Sequence, residues 1–115
     1  MEPYATSDQV WAGALIFARI GAILMTLPGI GESYVPPRIR LSLALLITLV
    51  VWPIAAPVLP ALPESVGGMA GWVIREVATG LMIGAILRAF MTALATAGEV
   101  VSLQTTLSFA QSTNP

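Results

Sequence analysis

Cysteine, histidine and lysine are all missing from this 115-residue chain. Without thiol or imidazole there is no disulfide, no thiolate or imidazole metal site, and no cysteine or histidine catalysis. Charge is scarce as well: five basic residues, all arginine, face six acidic ones, for a net charge of -1. The acids Glu2, Asp8, Glu32, Glu64, Glu76 and Glu99 are scattered, so their spacing marks no carboxylate cluster for a hard cation. No basic run occurs, which removes the electrostatic footprint of a nucleic-acid binder. These absences predict a protein that is not an enzyme, holds no cofactor or metal and binds no nucleic acid.

What is abundant is apolar surface. Hydrophobic residues make up 57% of the chain and charged residues 10%, and the mean hydropathy is +0.86. An ordinary soluble domain is about 25% charged. A small domain has too much surface for its volume to hide this much apolar area behind so few polar groups. The composition predicts an integral membrane protein. Its segment pattern predicts an all-α one with Pro-interrupted helices.

The N-terminus opens Met1-Glu2-Pro3, carries Asp8 where a basic region would stand, and leads into an apolar stretch too long for a leader's core; it does not read as a cleavable signal peptide. Ser7 or Asp8 is a suitable N-cap, and a helix over about 8–27 would measure about 30 Å, enough to cross a hydrocarbon core. Pro28-Gly29-Ile30-Gly31 ends it. After a link over 28–36, Pro37 suits the first position of a second helix. Pro53, Pro57, Pro60 and Pro63 interrupt the uncharged run that follows, so that helix is expected over about 37–52, about 24 Å and short for a span. A Pro-rich link covers 53–68. A third helix is expected over about 69–97, with a break or kink at Gly98-Glu99. A polar segment over 98–115 then ends on Asn114-Pro115, a turn initiator, as though cut in mid-loop.

Within the third segment, Gly80 and Gly84 form a Gly-x-x-x-Gly pair, and Ala85, Ala89, Ala93 and Ala97 follow at four-residue steps. Small residues so spaced let a second backbone approach closely, where lipid supplies no hydrophobic drive. The neighbour is either another helix of this chain or another subunit. Arg19, Arg75, Glu76, Arg88 and Glu99 are the charges expected to be buried. An arginine in a spanning helix costs at least about 2.5 kcal/mol and turns to protein, water or a counter-ion. Glu76 and Glu99 are the candidate partners, but neither lies within a helix turn of Arg88, so any pairing must come from another helix, another subunit or water. Trp11, Trp52 and Trp72 fall near segment ends, where indole rings favour the membrane interface. Met25, Met82 and Met91 are expected as packing residues. Arg38 and Arg40 outweigh Glu32 in the first link, while the N-terminus carries only Glu2 and Asp8; the positive-inside rule puts the link in the cytoplasm.

Two blocks carry a resemblance. Arg19-Ile20-Gly21-Ala22-Ile23-Leu24-Met25-Thr26-Leu27-Pro28-Gly29-Ile30-Gly31, followed by Val35-Pro36-Pro37-Arg38-Ile39-Arg40-Leu41, resembles the N-terminal signature of the FliR family of flagellar biosynthetic proteins. The type III secretion counterparts of that family, the export-apparatus T subunits, share the pattern. Gly98-Glu99-Val100-Val101-Ser102-Leu103-Gln104, then Leu107-Ser108-Phe109-Ala110 and Asn114-Pro115, resembles the family's Gly-Glu, Leu-Gln, Ser-Phe-Ala and Asp-Pro landmarks in the same order. Thr105-Thr106, Ser112-Thr113 and Asn114 depart from the family pattern. The likeness runs from about Arg19 to the end of the chain and covers the N-terminal half of a family member.

The resemblance implies that residues 1–115 are the N-terminal part of a single export-gate membrane domain in a larger helical assembly, built of membrane-associated helical hairpins with bent helices that form a cone partly raised out of the bilayer. That assembly would sit in the bacterial inner membrane at the flagellar basal body, with the flagellar system the default over an injectisome. Its implied partners are the P and Q gate subunits, FliP and FliQ in flagella, other export-apparatus membrane proteins, the lipid bilayer, and unfolded protein substrates crossing through a central channel. Segment 98–115 becomes a gating segment, with Phe109, Ala110, Asn114 and Pro115 at the plug. From the residues alone two other readings stay open. One is a transporter or channel half in which Arg19 and Arg88 line a small-solute path; the other is a membrane scaffold with no conduit.

Overall fold

The computed structural model describes residues 6–113. Of the described residues 83% are helical and none is in a strand. Three α-helices, α1 (Ser7–Thr26), α2 (Pro37–Ala55) and α3 (Val66–Thr113), are joined by a link after α1 and by a 3-10 turn, Ala56–Val58, after α2. All three are long and apolar enough to cross a membrane.

Helix α1 begins one residue earlier than the sequence suggests, because Thr6 is its N-cap. The Thr6 hydroxyl accepts the Gln9 N–H at 3.2 Å, and the Gln9 side-chain carbonyl accepts the Thr6 N–H at 3.4 Å. This reciprocal box satisfies two otherwise orphaned donors. Asp8 is thereby free for a different role: its carboxylate accepts the Leu62 N–H at 3.0 Å, tying the Pro-rich link to the start of α1. At the other end Leu27 is extended and Gly29 takes φ 89°, a left-handed turn that glycine adopts without a Cβ penalty.

Helix α2 starts at Pro37, as its sequence indicates, but does not stop at Trp52. It runs 19 residues, through Pro53 to Ala55, and the 3-10 turn extends it to Val58. Pro53 lies in the last turn, where its missing N–H forfeits one bond, to the Leu49 carbonyl, and the remaining turns are unaffected. The expected short helix over 37–52 is therefore a 22-residue stretch of spanning length.

Helix α3 is a single helix of 48 residues, about 72 Å long. The break expected at Gly98-Glu99 is absent. One glycine costs about 1 kcal/mol relative to alanine inside a helix, too little to interrupt a run with strong helix formers such as Ala93, Leu94, Ala95 and Ala97 before it. The polar end does not form a loop either. Its hydroxyls bond back to the helix itself: Thr105 to the Val101 carbonyl at 2.8 Å, Thr106 to Ser102 at 2.9 Å and Ser112 to Phe109 at 2.7 Å. Polar side chains satisfied within the helix remove the reason to leave it.

Helix α1 is central. It packs on both α2 and α3, which do not pack on each other. The core is accordingly written mostly in α1: Trp11, Ala12, Leu15, Ile16, Ala22 and Leu24, met by Ala44 of α2. Helix α2 returns antiparallel to α1, with the Trp52 ring over Gly13, where a Cβ would come within 2.5 Å of it. Trp11 is thus a core residue and Trp52 an intrachain packing residue; Trp72, half-buried, carries the Arg75 guanidinium over its ring at 5.1 Å. The methionines expected to pack do not do so within this chain, since Met25, Met82 and Met91 are all exposed. The molecule measures 80 × 25 × 23 Å, its long dimension set by α3 outrunning the other two helices.

Candidate functional site

Glu76, Gly80, Gly84 and Arg88 are spaced four residues apart, so they share one face of α3. That face meets the second half of α1. A Cβ at Gly80 would lie 2.5 Å from the Arg19 carbonyl oxygen and 2.7 Å from the Ala22 Cβ. A Cβ at Gly84 would overlap the Thr26 hydroxyl and lie 2.7 Å from the Thr26 Cβ. No side chain fits at either position, and both glycines are buried. The Gly-x-x-x-Gly pair is therefore occupied by a helix of the same chain.

An ion pair closes each end of this seam. Arg19 Nε lies 2.6 Å from Glu76 Oε2, and Glu76 is the buried member, its side chain 7% exposed against 45% for Arg19. Twelve residues along α3, Arg88 reaches into the turn after α1. Its Nε–H donates to the Thr26 carbonyl at 3.1 Å and an Nη1–H to Glu32 Oε1 at 3.2 Å. The last carbonyls of a helix lack intrahelical donors and carry the negative end of its dipole. Helix α1 has no basic residue in its own last turn, and Arg88 of α3 supplies that charge. Both contacts join residues that increase together along the two helices (19 with 76, 26 with 88), so α1 and α3 run parallel.

The other residues singled out from the sequence are placed as follows. Arg75 is exposed on Trp72. Glu99 is exposed, and no ion pair among the described residues involves it. Ala85, Ala89, Ala93 and Ala97 are exposed: they stand one residue past the glycine face, about 100° around the helix, and do not continue it. Phe109 and Ala110 are exposed on the last turns of α3, while Asn114 and Pro115, like Glu2, lie outside the described residues. Glu32, the partner of Arg88, was not among the residues the sequence marked. No local pattern signalled it, because the contact joins residues 56 positions apart.

Chemically, the seam positions helices. Both guanidiniums are engaged by carboxylates, and no group of three or more metal-ligating side chains gathers among the described residues.

A sequence profile described as bacterial export proteins, family 1, matches residues 10–115 of the chain. The flagellar biosynthetic protein FliR of Caulobacter vibrioides is 56% identical over 115 residues, the whole of this chain and 46% of that relative. The protein of the same name in Escherichia coli K12 is 35% identical over 99 residues, 84% of this chain and 36% of the relative. That of Pectobacterium carotovorum is 34% identical over 101 residues, 86% of this chain and 37% of the relative. The chain thus spans less than half the length of the curated relatives it matches. No solved structure gives a significant match.

Proposed function

The chain belongs to family 1 of the bacterial export proteins, and from that membership we propose that it forms part of the protein export gate of the flagellar type III system, in the bacterial inner membrane. The observation that carries this reading is the 56% identity along the whole chain to a relative named flagellar biosynthetic protein FliR. Two structural features support it. The glycine seam fixes α3 against α1 as a parallel pair, and α3 beyond Arg88 carries a long apolar surface that no other described residue covers. A subunit of a multi-subunit helical gate needs both: an internal brace, and a free helix face for its neighbours.

In this proposal the neighbours are the P and Q gate subunits, and the cargo is unfolded flagellar protein crossing a central channel at the basal body. The segment over 98–115, with Phe109, Ala110, Asn114 and Pro115, contributes to closing that channel. No catalytic step is assigned to the chain. The small-solute reading is not favoured, because Arg19 and Arg88, which would have to line the path, are already committed to Glu76 and Glu32.

Co-purification of the full-length protein with its P and Q homologues tests the proposal directly. A stable complex, with loss of hook and filament secretion when the gene is deleted, is the expected result. A full-length protein that purifies alone and whose deletion leaves secretion intact overturns it.

A further inference from the structure

Helices α2 and α3 both pack on α1 and not on each other, which leaves a cleft between them with α1 as its floor. The cleft has a volume of ≈ 780 Å³ and follows α1 from Phe17 to Met25, about 12 Å or just over two helical turns. Its floor carries Ala18, Gly21 and Ala22, small residues at helical spacing, and Gly21 has nothing within 4 Å of where a Cβ would stand. Val77 and Leu81 of α3 form one wall. They stand four residues apart in the row beside the glycine seam, and the same step leads on to Ala85 and Ala89, both exposed. A helix lying in the cleft alongside α1 would therefore continue along α3 over small side chains, the kind of surface that lets backbones approach closely.

The other wall, the start of α2, brings charge. Arg38 and Arg40 line the cleft among residues that are otherwise apolar or glycine. Nothing acidic offsets them: no acid lines the cleft, α2 has none in its first turn, and Glu32 of the preceding link is paired with Arg88. Neither ion pair among the described residues includes Arg38 or Arg40. Arg40 donates through Nη2 to the Val35 carbonyl at 3.0 Å, while its Nε–H has no acceptor. A guanidinium presents a planar fork of donors that matches a carboxylate. A helix seated here without an acid would cover two unpaired charges, which is costly.

We propose, resting on the assembly reading above, that this cleft receives a helix of a neighbouring subunit, apolar where it meets α1 and carrying an Asp or Glu whose carboxylate is held by Arg38 and Arg40. The small floor and the alanine row fit a helix backbone, and the two uncompensated cations select the acid on it.

The full-length protein co-purified with its P and Q homologues tests this. R38E/R40E, which sets acid against acid, should lower the amount of assembled complex about tenfold, and R38K/R40K, which keeps both charges, should lower it less. Raised ionic strength should weaken the wild-type complex more than that of R38Q/R40Q. G21L enters space that this chain leaves open, so it should melt with the wild type and still assemble poorly, because it fills the floor. A photo-crosslinker at Leu41 in the assembled complex, with the linked peptide sequenced by mass spectrometry, should capture a neighbouring subunit within a helical turn of an Asp or Glu. Exchanging that acid for Arg should restore assembly of R38E/R40E. Capture of lipid, of this protein's own chain, or of a peptide with no acid nearby overturns the proposal. A wild-type protein that assembles with no partner overturns the assembly reading together with this one, whereas assembly that R38E/R40E and G21L both leave intact overturns this one alone. Helical circular dichroism matching the wild type keeps weakened assembly from being mistaken for unfolding.

Discussion

Up to Arg88, helix α3 has a partner in its own chain; beyond Arg88 it has none among the described residues. The first part buries Glu76, Gly80 and Gly84 against α1, and every residue from Ala89 to Thr113 is exposed. The two parts hardly differ in hydrophobicity to the eye: Phe90, Met91, Leu94, Val101, Leu103 and Leu107 are as apolar as anything in the packed part. What distinguishes them is side-chain size at the four-residue step and the position of charge. Glycines at 80 and 84 let the backbones close, and Arg19, Glu32, Glu76 and Arg88 fix where along the helix they close. Past Arg88 neither device continues on that face. About 38 Å of helix then projects beyond the bundle. A packed half and an uncovered half in one unbroken rod is an arrangement that transmits position: whatever holds the far half is braced on α1 through the seam.

The sharpest way to break this contrast is to put a bulky residue into the packed half. Gly84→Leu should separate α1 from α3, because even a Cβ at that position collides with Thr26. Overpacking of a tight core contact typically costs 1–3 kcal/mol, and a backbone-to-backbone seam has little room to relax, so about 3 kcal/mol is expected. Thermal unfolding of the full-length protein in detergent measures it. A Gly84→Leu protein that melts with the wild type would show that the seam does not hold the pair.

The ion pair at the buried end ranks next. Arg19→Ala leaves Glu76 buried without its counter-charge. Removing one partner of a buried pair costs about 3–5 kcal/mol, and because Arg19 is nearly half exposed the expected loss is smaller, about 2 kcal/mol. Glu76→Ala leaves the more accessible partner behind and should cost less. The exchange R19E/E76R restores an attractive pair across the same helices and should recover at least half of the loss. A double exchange no better than the worse single variant would mean that the charges do not interact.

The seam was only partly legible in the chain itself. Gly80, Gly84 and the charges Arg19 and Glu76 were visible, because small residues and rare charges stand out in an apolar sequence, but which arginine meets which acid was not. The three helical segments were visible for the same reason, in their hydrophobic length. The ends were less so. Pro53 looks like a stop, yet proline in a last turn removes a single bond and α2 passes through it. Gly98 and the hydroxyl-rich stretch after it look like a loop, but the Thr and Ser side chains find acceptors one turn back in their own helix. Glu32 was hidden for a different reason. Its contact with Arg88 spans 56 positions and depends on α1 and α3 running parallel, which no local pattern encodes.

The smallest expected effect lies in the uncovered half. Gly98 has nothing within 4 Å of where a Cβ would be, so Gly98→Ala meets no obstacle in this chain. It removes the conformational freedom of one glycine from the middle of a helix and should stabilise α3 by about 0.5–1 kcal/mol. Because the site is ten residues beyond Arg88, the seam should not register the change: the double-variant energies for Arg19 and Glu76 should be the same in a Gly98→Ala background, as expected for sites well separated in space. Two departures would each be informative. A loss of stability would mean that the helix is not continuous through Gly98-Glu99. A gain in stability accompanied by loss of export would mean that a neighbouring subunit approaches the helix at Gly98 closely enough to feel one methyl group, which would extend the glycine-seam logic of the packed half to the uncovered one.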